Sequence, residues 1–235
     1  MDIVYEDNHL LIVNKHCGEI VQGDKTGDES MAETLKRYLK EKYAKPGNVF
    51  LGVVHRLDRP VSGLVVFART SKALSRLNDM FRKGEVKKTY WAIVPRKGGM
   101  PSPTAAPIML HHWLTRNEQK NISRAYDNEV PGSKEARLEY LTLSVSDRYA
   151  LVEVHLFTGR HHQIRCQLAK AGMPIKGDLK YGAPRSNDDG GISLMARRIA
   201  FTHPVSRQPI DISIDVPDDN LWQTLCEQWQ QPARH

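Results

Sequence analysis

Apolar residues fall along this chain in short blocks whose period changes from block to block. Ile3-Val4-Tyr5 and Leu10-Leu11-Ile12-Val13, split by Asp7-Asn8, predict a hairpin over Ile3–Asn14. Ser30-Met31-Ala32-Glu33 has capping-box spacing and opens a helix. Met31, Leu35, Tyr38 and Leu39 give that helix one apolar face, and Pro46-Gly47 closes it. Phe50–Val54 and Leu64–Ala68 read as strands on either side of a polar loop. Ser71–Lys83 reads as a helix through Leu74, Leu77, Met80 and Phe81, with Gly84 just past its end. Thr89–Val94 is the next strand, followed by loop from Pro95 to Pro107.

Residues 115–135 are polar and carry no clear period. Leu138–Val145 and Tyr149–Leu156 flank Ser146-Asp147-Arg148 as a long antiparallel hairpin. Thr158 is placed to cap a helix from about Arg160 to Ala171, with Gly172 and Pro174 beyond it. Loop is expected over 176–191, an edge strand over Ile210–Val216, and an amphipathic helix over Asn220–Gln230 through Trp222, Leu225, Cys226 and Trp229. Strands dominate the middle and helices punctuate it. The expected class is therefore α+β on a mainly antiparallel sheet, with residues 1–235 forming a single catalytic domain.

Composition narrows the function classes. No apolar run approaches the roughly 20 residues a membrane helix needs, and the acidic start Met1–Asp7 lacks signal-peptide layout. Three distant cysteines, Cys17, Cys166 and Cys226, argue for a reducing, cytoplasmic setting and against a disulfide framework. No CxxC pair or HExxH helix suggests zinc. The formal net charge of +7 favours a polyanionic partner, although a small positive excess also serves solubility alone.

Two segments concentrate chemistry. His55-Arg56-Leu57-Asp58-Arg59-Pro60-Val61-Ser62-Gly63 holds one carboxylate among cations on a tight loop, where Asp58 is either a turn former or a working group. Thr158-Gly159-Arg160-His161-His162-Gln163-Ile164-Arg165 crowds donors at a strand-to-helix junction, whose free N–H groups would favour an anion. Arg165 sits between Ile164 and Leu168, so partial burial is expected and an anionic partner with it; Asp58 is the candidate. That pairing would keep Asp58 ionised, which suits a nucleophile or a base. Tyr90, behind Lys87-Lys88, is either a core aromatic or a surface on which a base stacks. The pairs His111-His112 and His161-His162 should each point in two directions, which argues against a metal site.

In this order the segments resemble the RluA family of RNA pseudouridine synthases. Val13–Gly18, His55–Gly63, Lys88–Ala92, Thr158–Arg165, Pro174–Asp178 with Tyr181, and Leu194–Ala196 with Phe201–Pro204 each resemble one of the family's motifs. The resemblance implies the pseudouridine synthase fold: a mainly antiparallel mixed sheet flanked by helices and loops, with a central RNA-binding cleft. It implies isomerisation of a uridine in structured RNA, ribosomal or transfer, with no metal or organic cofactor. The base must first be flipped out of its stack. By motif position Asp58 is the catalytic carboxylate, Arg165 its orienting partner, Tyr90 the stacking surface with Leu194 packed against it, and Arg56 a contact to RNA beside the flipped nucleotide.

The chain departs from the motifs at His16, Val61, Cys166, Gln167 and Met195, none in the implied chemistry. Because it begins at the first motif, no separate N-terminal RNA-binding domain is expected, which leaves target choice to the catalytic domain and its loops, including 95–135. No membrane partner is expected, and a monomer is the default. Two rival readings are a non-catalytic RNA-binding or assembly factor on the same fold, and a metal-dependent phosphodiesterase, which lacks a second clustered carboxylate.

Overall fold

The computed structural model describes residues 2–23, 27–97, 101–104 and 106–230. The chain divides into two compact units, Met1–Lys87 with Arg198–Ile214, and Lys88–Arg197 with Asp215–His235.

The first unit starts with the expected hairpin, β1 (Asp2–Glu6) against β2 (Leu10–Lys15). Asp7 makes the turn by accepting the His9 and Leu10 N–H groups, both at 2.7 Å. Strand β4 (Ser62–Ala68) runs antiparallel to β2, and the two-residue strand β3 (Gly52–Val53) pairs with the far end of β4. Helix α1 (Met31–Lys42) begins where predicted: the Ser30 hydroxyl accepts the Glu33 N–H. It buries Met31, Ala32, Leu35 and Leu39. Helix α2 (Ser71–Lys83) is capped by Thr70 and ends at Gly84. Gly84 has φ +73°, where a side chain would be strained, and this lets the Gly84 and Glu85 N–H groups reach the Phe81 and Met80 carbonyls. The inward face of α2, Ala73, Leu77 and Met80, packs with Leu10, Ile12, Leu64 and Val66 of the sheet. Each large side chain buried there contributes about 1.5–3 kcal/mol.

The second unit is built on antiparallel pairings whose strand order departs from chain order. Its order is β5 (Lys87–Pro95), β9 (Tyr149–Leu156), β8 (Lys134–Val145), β6 (Ile108–Asn117) and β7 (Ile122–Tyr126). The β8–β9 hairpin is the one expected from the alternation. Strand β7 and the last residues of β6, Thr115–Asn117, fall in the 115–135 region that carried no clear period, with β7 at the end of this order. Helix α3 (Gln163–Lys170) packs on β6 and β7, and helix α4 (Asn220–Gln230) packs on β8. On α4, Trp222 and Leu225 are buried, and the Leu225 carbonyl accepts the Ser144 hydroxyl at 2.6 Å. Strand β10 (Leu194–Thr202) was not foreseen; its residues Arg198–Thr202 belong to the first unit, where β11 (Pro209–Ser213) pairs antiparallel with them.

Mixed strands and helices on antiparallel pairings are the α+β class expected. The predicted loop 95–107 carries no regular element in its described part beyond the Pro95 that ends β5; residues 98–100 and 105 lie outside the described residues. The predicted loop 176–191 holds one short 3-10 turn, Leu179–Tyr181.

Candidate active site

The Asp58 loop leaves β3 and returns as β4, and two side chains hold it in shape. His55 stands where the β3–β4 ladder stops, and its Nε2 accepts the Val66 N–H at 3.0 Å in place of a strand carbonyl. The proton of that ring is thereby on Nδ1. The ring stacks on Phe81 of α2 at 4.8 Å. On the other side Lys15, fully buried at the end of β2, donates from Nζ to the carbonyls of His16 (3.0 Å), Arg59 (3.0 Å) and Val61 (2.6 Å). Burial lowers the Lys15 pKa to about 8, while Cys17, Glu19 and Asp58 act to raise it.

Between these anchors the Val61 N–H bonds the Asp58 carbonyl at 3.0 Å, closing a turn through Arg59 and Pro60. Leu57 is buried, Asp58 half-buried and Arg56 exposed. The turn-former reading of Asp58 is therefore correct for its backbone, and it leaves the carboxylate's task open. Arg59 has a structural task, donating to the Gly18 carbonyl and pairing with Asp28.

The second constellation differs locally from its sequence reading. Thr158 does not cap a helix at Arg160; α3 begins at Gln163, after His162 with φ +51°. The cause is the Gln163 side chain. Its Oε1 accepts both the Thr158 hydroxyl (2.8 Å) and the Arg160 N–H (2.9 Å), and its Nε2 donates to the Arg137 carbonyl (3.0 Å). These bonds hold 158–162 as a bent loop, and a left-handed residue cannot continue into a helix. The Arg160 N–H that the sequence reading offered to an anion is already used.

Arg165 is 4% exposed, as its apolar neighbours imply. Its Nε and Nη2 donate to the two carboxylate oxygens of Asp178, at 2.7 and 2.9 Å, and Asp178 is itself 1% exposed. The guanidinium also lies over the Tyr181 ring at 5.1 Å. Tyr181 is in turn pinned, since its oxygen accepts the Ser123 N–H and its hydroxyl lies 2.9 Å from His162 Nδ1. Burial, then the Arg165 charge, pushes the His162 pKa down to about 2, so this ring stays neutral. Burial also lifts Tyr181 to about 12.

The His161 and His162 rings stack at 3.7 Å, so the expectation that adjacent histidines point apart fails here. The left-handed backbone at His162 turns its ring over its neighbour's. His161 Nδ1 meets the Ser123 hydroxyl and His162 Nδ1 meets Tyr181. Among the described residues no group of three or more His, Cys, Asp or Glu side chains is gathered as a metal site.

Tyr90 is buried in β5 opposite Val154, and Leu194 is buried at the start of β10. Arg56 and Asp58 thus share one loop of the first unit, while Tyr90, Arg165 and Leu194 belong to the second. Sequence reasoning assigned no role to Lys15, Asp178, Tyr181 or His162. A lysine closing an apolar strand was the available signal for Lys15; the others lay in quoted motifs without a visible task.

Residues 9–170, more than half of the chain, match the family described as RNA pseudouridylate synthase. The chain is 31% identical over 250 residues to tRNA pseudouridine synthase C of Vibrio vulnificus (strain CMCP6), covering 99% of this chain and 97% of that one. It is 32% identical over 217 residues to ribosomal large subunit pseudouridine synthase C of the same organism, covering 90% of this chain and 64% of that longer protein. The fold matches the solved structure titled Human RNA Pseudouridylate Synthase Domain Containing 4 with a TM-score of 0.75 at 21% identity, over 97% of this chain and 92% of that one. No helix among the described residues is long and apolar enough to cross a membrane. Motif order, fold and sequence match together establish that this chain belongs to the RNA pseudouridylate synthase family.

Proposed function

We propose that this chain converts a specific uridine of a structured RNA to pseudouridine, with Asp58 as the catalytic carboxylate and both units serving one catalytic domain. The supporting observation is the build of the Asp58 loop: a buried lysine and a neutral histidine hold its backbone at both ends, which preorganises one half-buried carboxylate. In this reading the target nucleotide leaves its stack, Asp58 acts on the sugar or the base, and the C1′–N1 bond breaks. The uracil turns, C1′ bonds to C5, the C5 proton is released and N1 regains one. Arg165, its plane fixed by Asp178 and Tyr181, serves as the orienting partner of Asp58. Tyr90 and Leu194 hold the uracil, and Arg56 meets the RNA beside the vacated position. The division of the relatives' names between transfer and ribosomal RNA supports a substrate in one of these two classes.

The test uses RNA carrying tritium at uridine C5, prepared from cells lacking this protein. The purified protein should release tritium without added metal or cofactor. Asp58→Asn should release none while still binding the RNA. Release by Asp58→Asn at the wild-type rate would remove Asp58 from the chemistry.

A further inference from the structure

The β6–β7 hairpin carries a group of cations that the proposed chemistry does not use. Two open clefts share Thr115 and Arg116. One, on the inner face, is lined by Arg116, Lys134, Arg160 and His161 together with Leu114 and Ser123. The other, on the outer face, is lined by Arg116, Lys120 and Arg124 with Ile122 and Tyr126. The register explains the division. Arg116 stands opposite Ser123 on one face, and Thr115 stands opposite Arg124 on the other, so cations wrap both sides of the same edge hairpin. No carboxylate lines either cleft. The Glu118 carboxylate nearest Arg116 is 3.8 Å away with its side chain 82% exposed, a contact of little strength.

The hairpin is held rigidly where these cations stand. Ser123 donates its hydroxyl to the His161 carbonyl at 2.8 Å and its N–H to the Tyr181 oxygen at 2.9 Å. His161 Nε2 lies 2.9 Å from Asn121 Oδ1, and Lys180 Nζ donates to the Asn121 carbonyl at 3.0 Å. Arg160 is fixed through its Nε, which donates to the Glu135 carbonyl. Exposed cations on a short edge strand also discourage strand-to-strand aggregation. That purpose would be met by one or two charges on β7, and it explains neither Lys134 and Arg160 across the inner cleft nor the anchoring of the tip.

We propose that this hairpin is a phosphate-binding track, in which Arg116, Lys120 and Arg124, continued by Lys134 and Arg160, hold the backbone of the RNA strand. The arrangement is a row around an edge, suited to successive phosphodiesters of one polyanion. The half-buried Tyr126 at the end of the outer cleft supplies a face for a base. The inference rests on the reading of this chain as an RNA-modifying enzyme and adds a binding surface on the β6–β7 hairpin to that reading.

The experiment compares the full-length protein with two triple variants that remove the same charge. One is Arg116→Gln, Lys120→Gln, Arg124→Gln on the hairpin; the other is Lys40→Gln, Lys45→Gln, Lys83→Gln at exposed positions elsewhere. The probe is a fluorescein-labelled 20-nucleotide single-stranded RNA of mixed sequence, titrated at several salt concentrations. Each phosphate contact on a single strand contributes about 0.7 to the slope of log K against log salt. The hairpin variant should therefore lose about 2 from that slope and bind roughly 100-fold more weakly at 0.1 M salt. The control variant should stay within a few-fold of wild type. The double variant Arg116→Lys, Arg124→Lys, which keeps the charge, should retain most of the affinity and so separate loss of charge from loss of fold. Unchanged binding by the hairpin variant, or an equal loss by the control, overturns the track. Absence of tritium release by the wild-type protein, alongside the predicted binding pattern, would instead sink the isomerase reading and leave the track standing.

Discussion

The buried histidine beside Arg165 makes a quantitative prediction. His162 is held neutral by burial and by the Arg165 charge, with its pKa lowered from 6.5 to about 2. In the unfolded chain it titrates normally. As pH falls below 6.5 the unfolded state therefore takes up a proton that the folded state refuses, so stability present above pH 6.5 drains away toward the folded pKa. From pH 7.5 to pH 4.5 this one group should remove about 2.7 kcal/mol, approaching 1.4 kcal/mol per pH unit at the acid end. The replacement of choice is His162→Asn, because asparagine accepts the left-handed φ of +51° at this position and does not titrate. The assay is urea unfolding followed by tryptophan fluorescence at pH 7.5 and 4.5. Trp91, Trp113, Trp222 and Trp229 all lie in the unit that holds His162, so the signal reports the right part of the molecule. The nearby buried His112, also lowered by burial, is common to both proteins and cancels. Glu6, which burial alone would raise but whose bonds from Lys42, Tyr43 and Tyr38 bring it to about 2, is likewise common to both proteins and cancels. The variant should be less stable than wild type at pH 7.5 and should lose about 2.7 kcal/mol less on acidification. Parallel pH profiles would mean that His162 is charged in the folded protein, and the reasoning about its environment would be refuted.

Three further outcomes follow from the geometry. Lys15→Met removes both bonds from Nζ to the loop backbone, at Arg59 and Val61; a 1 Å displacement of a reacting group lowers rate by about 10²-fold, so kcat for tritium release should fall by that order while RNA affinity changes little. Asp178→Asn takes the charge from a bidentate, buried partner of Arg165 and should destabilise the second unit by about 3–5 kcal/mol in urea titrations. Gly177→Ala should lower the melting temperature by several degrees, because φ is +89° and an added Cβ would stand 2.7 Å from the Gly191 carbonyl oxygen; left-handed strain alone costs about 1 kcal/mol or more.

Much of this arrangement was legible because local signals agreed with the tertiary fold. Helix α2 has an apolar face, a capping threonine and a terminating glycine, and its bounds match the periodicity. The Asp58 loop was readable because Gly63 and Pro60 punctuate two apolar runs. The β6–β7 hairpin was not, since much of it is polar and β7 stands at the end of the strand order, so little alternation survives between Thr115 and Tyr126. Strand β10 was hidden because its first three residues are all buried, which erases a period of two. The start of α3 was misread because Thr158 resembles a cap, and the competing bonds of the Gln163 side chain carry no pattern in sequence. Arg165 was expected to need an anionic partner, and Asp178 is one, thirteen positions later on a loop where spacing gives no hint. The proposed pairing with Asp58 involves the guanidinium that Asp178 already orients.

The central claim is that Asp58 of this chain makes pseudouridine at defined positions in RNA. The direct measurement is a transcriptome-wide map of pseudouridine in cells lacking the protein, complemented with wild type or with Asp58→Asn at equal abundance. The account predicts at least one uridine of transfer or ribosomal RNA that is modified with wild type and unmodified with Asp58→Asn. Identical maps from the two complemented strains, carrying a site that the uncomplemented cells lack, would contradict it.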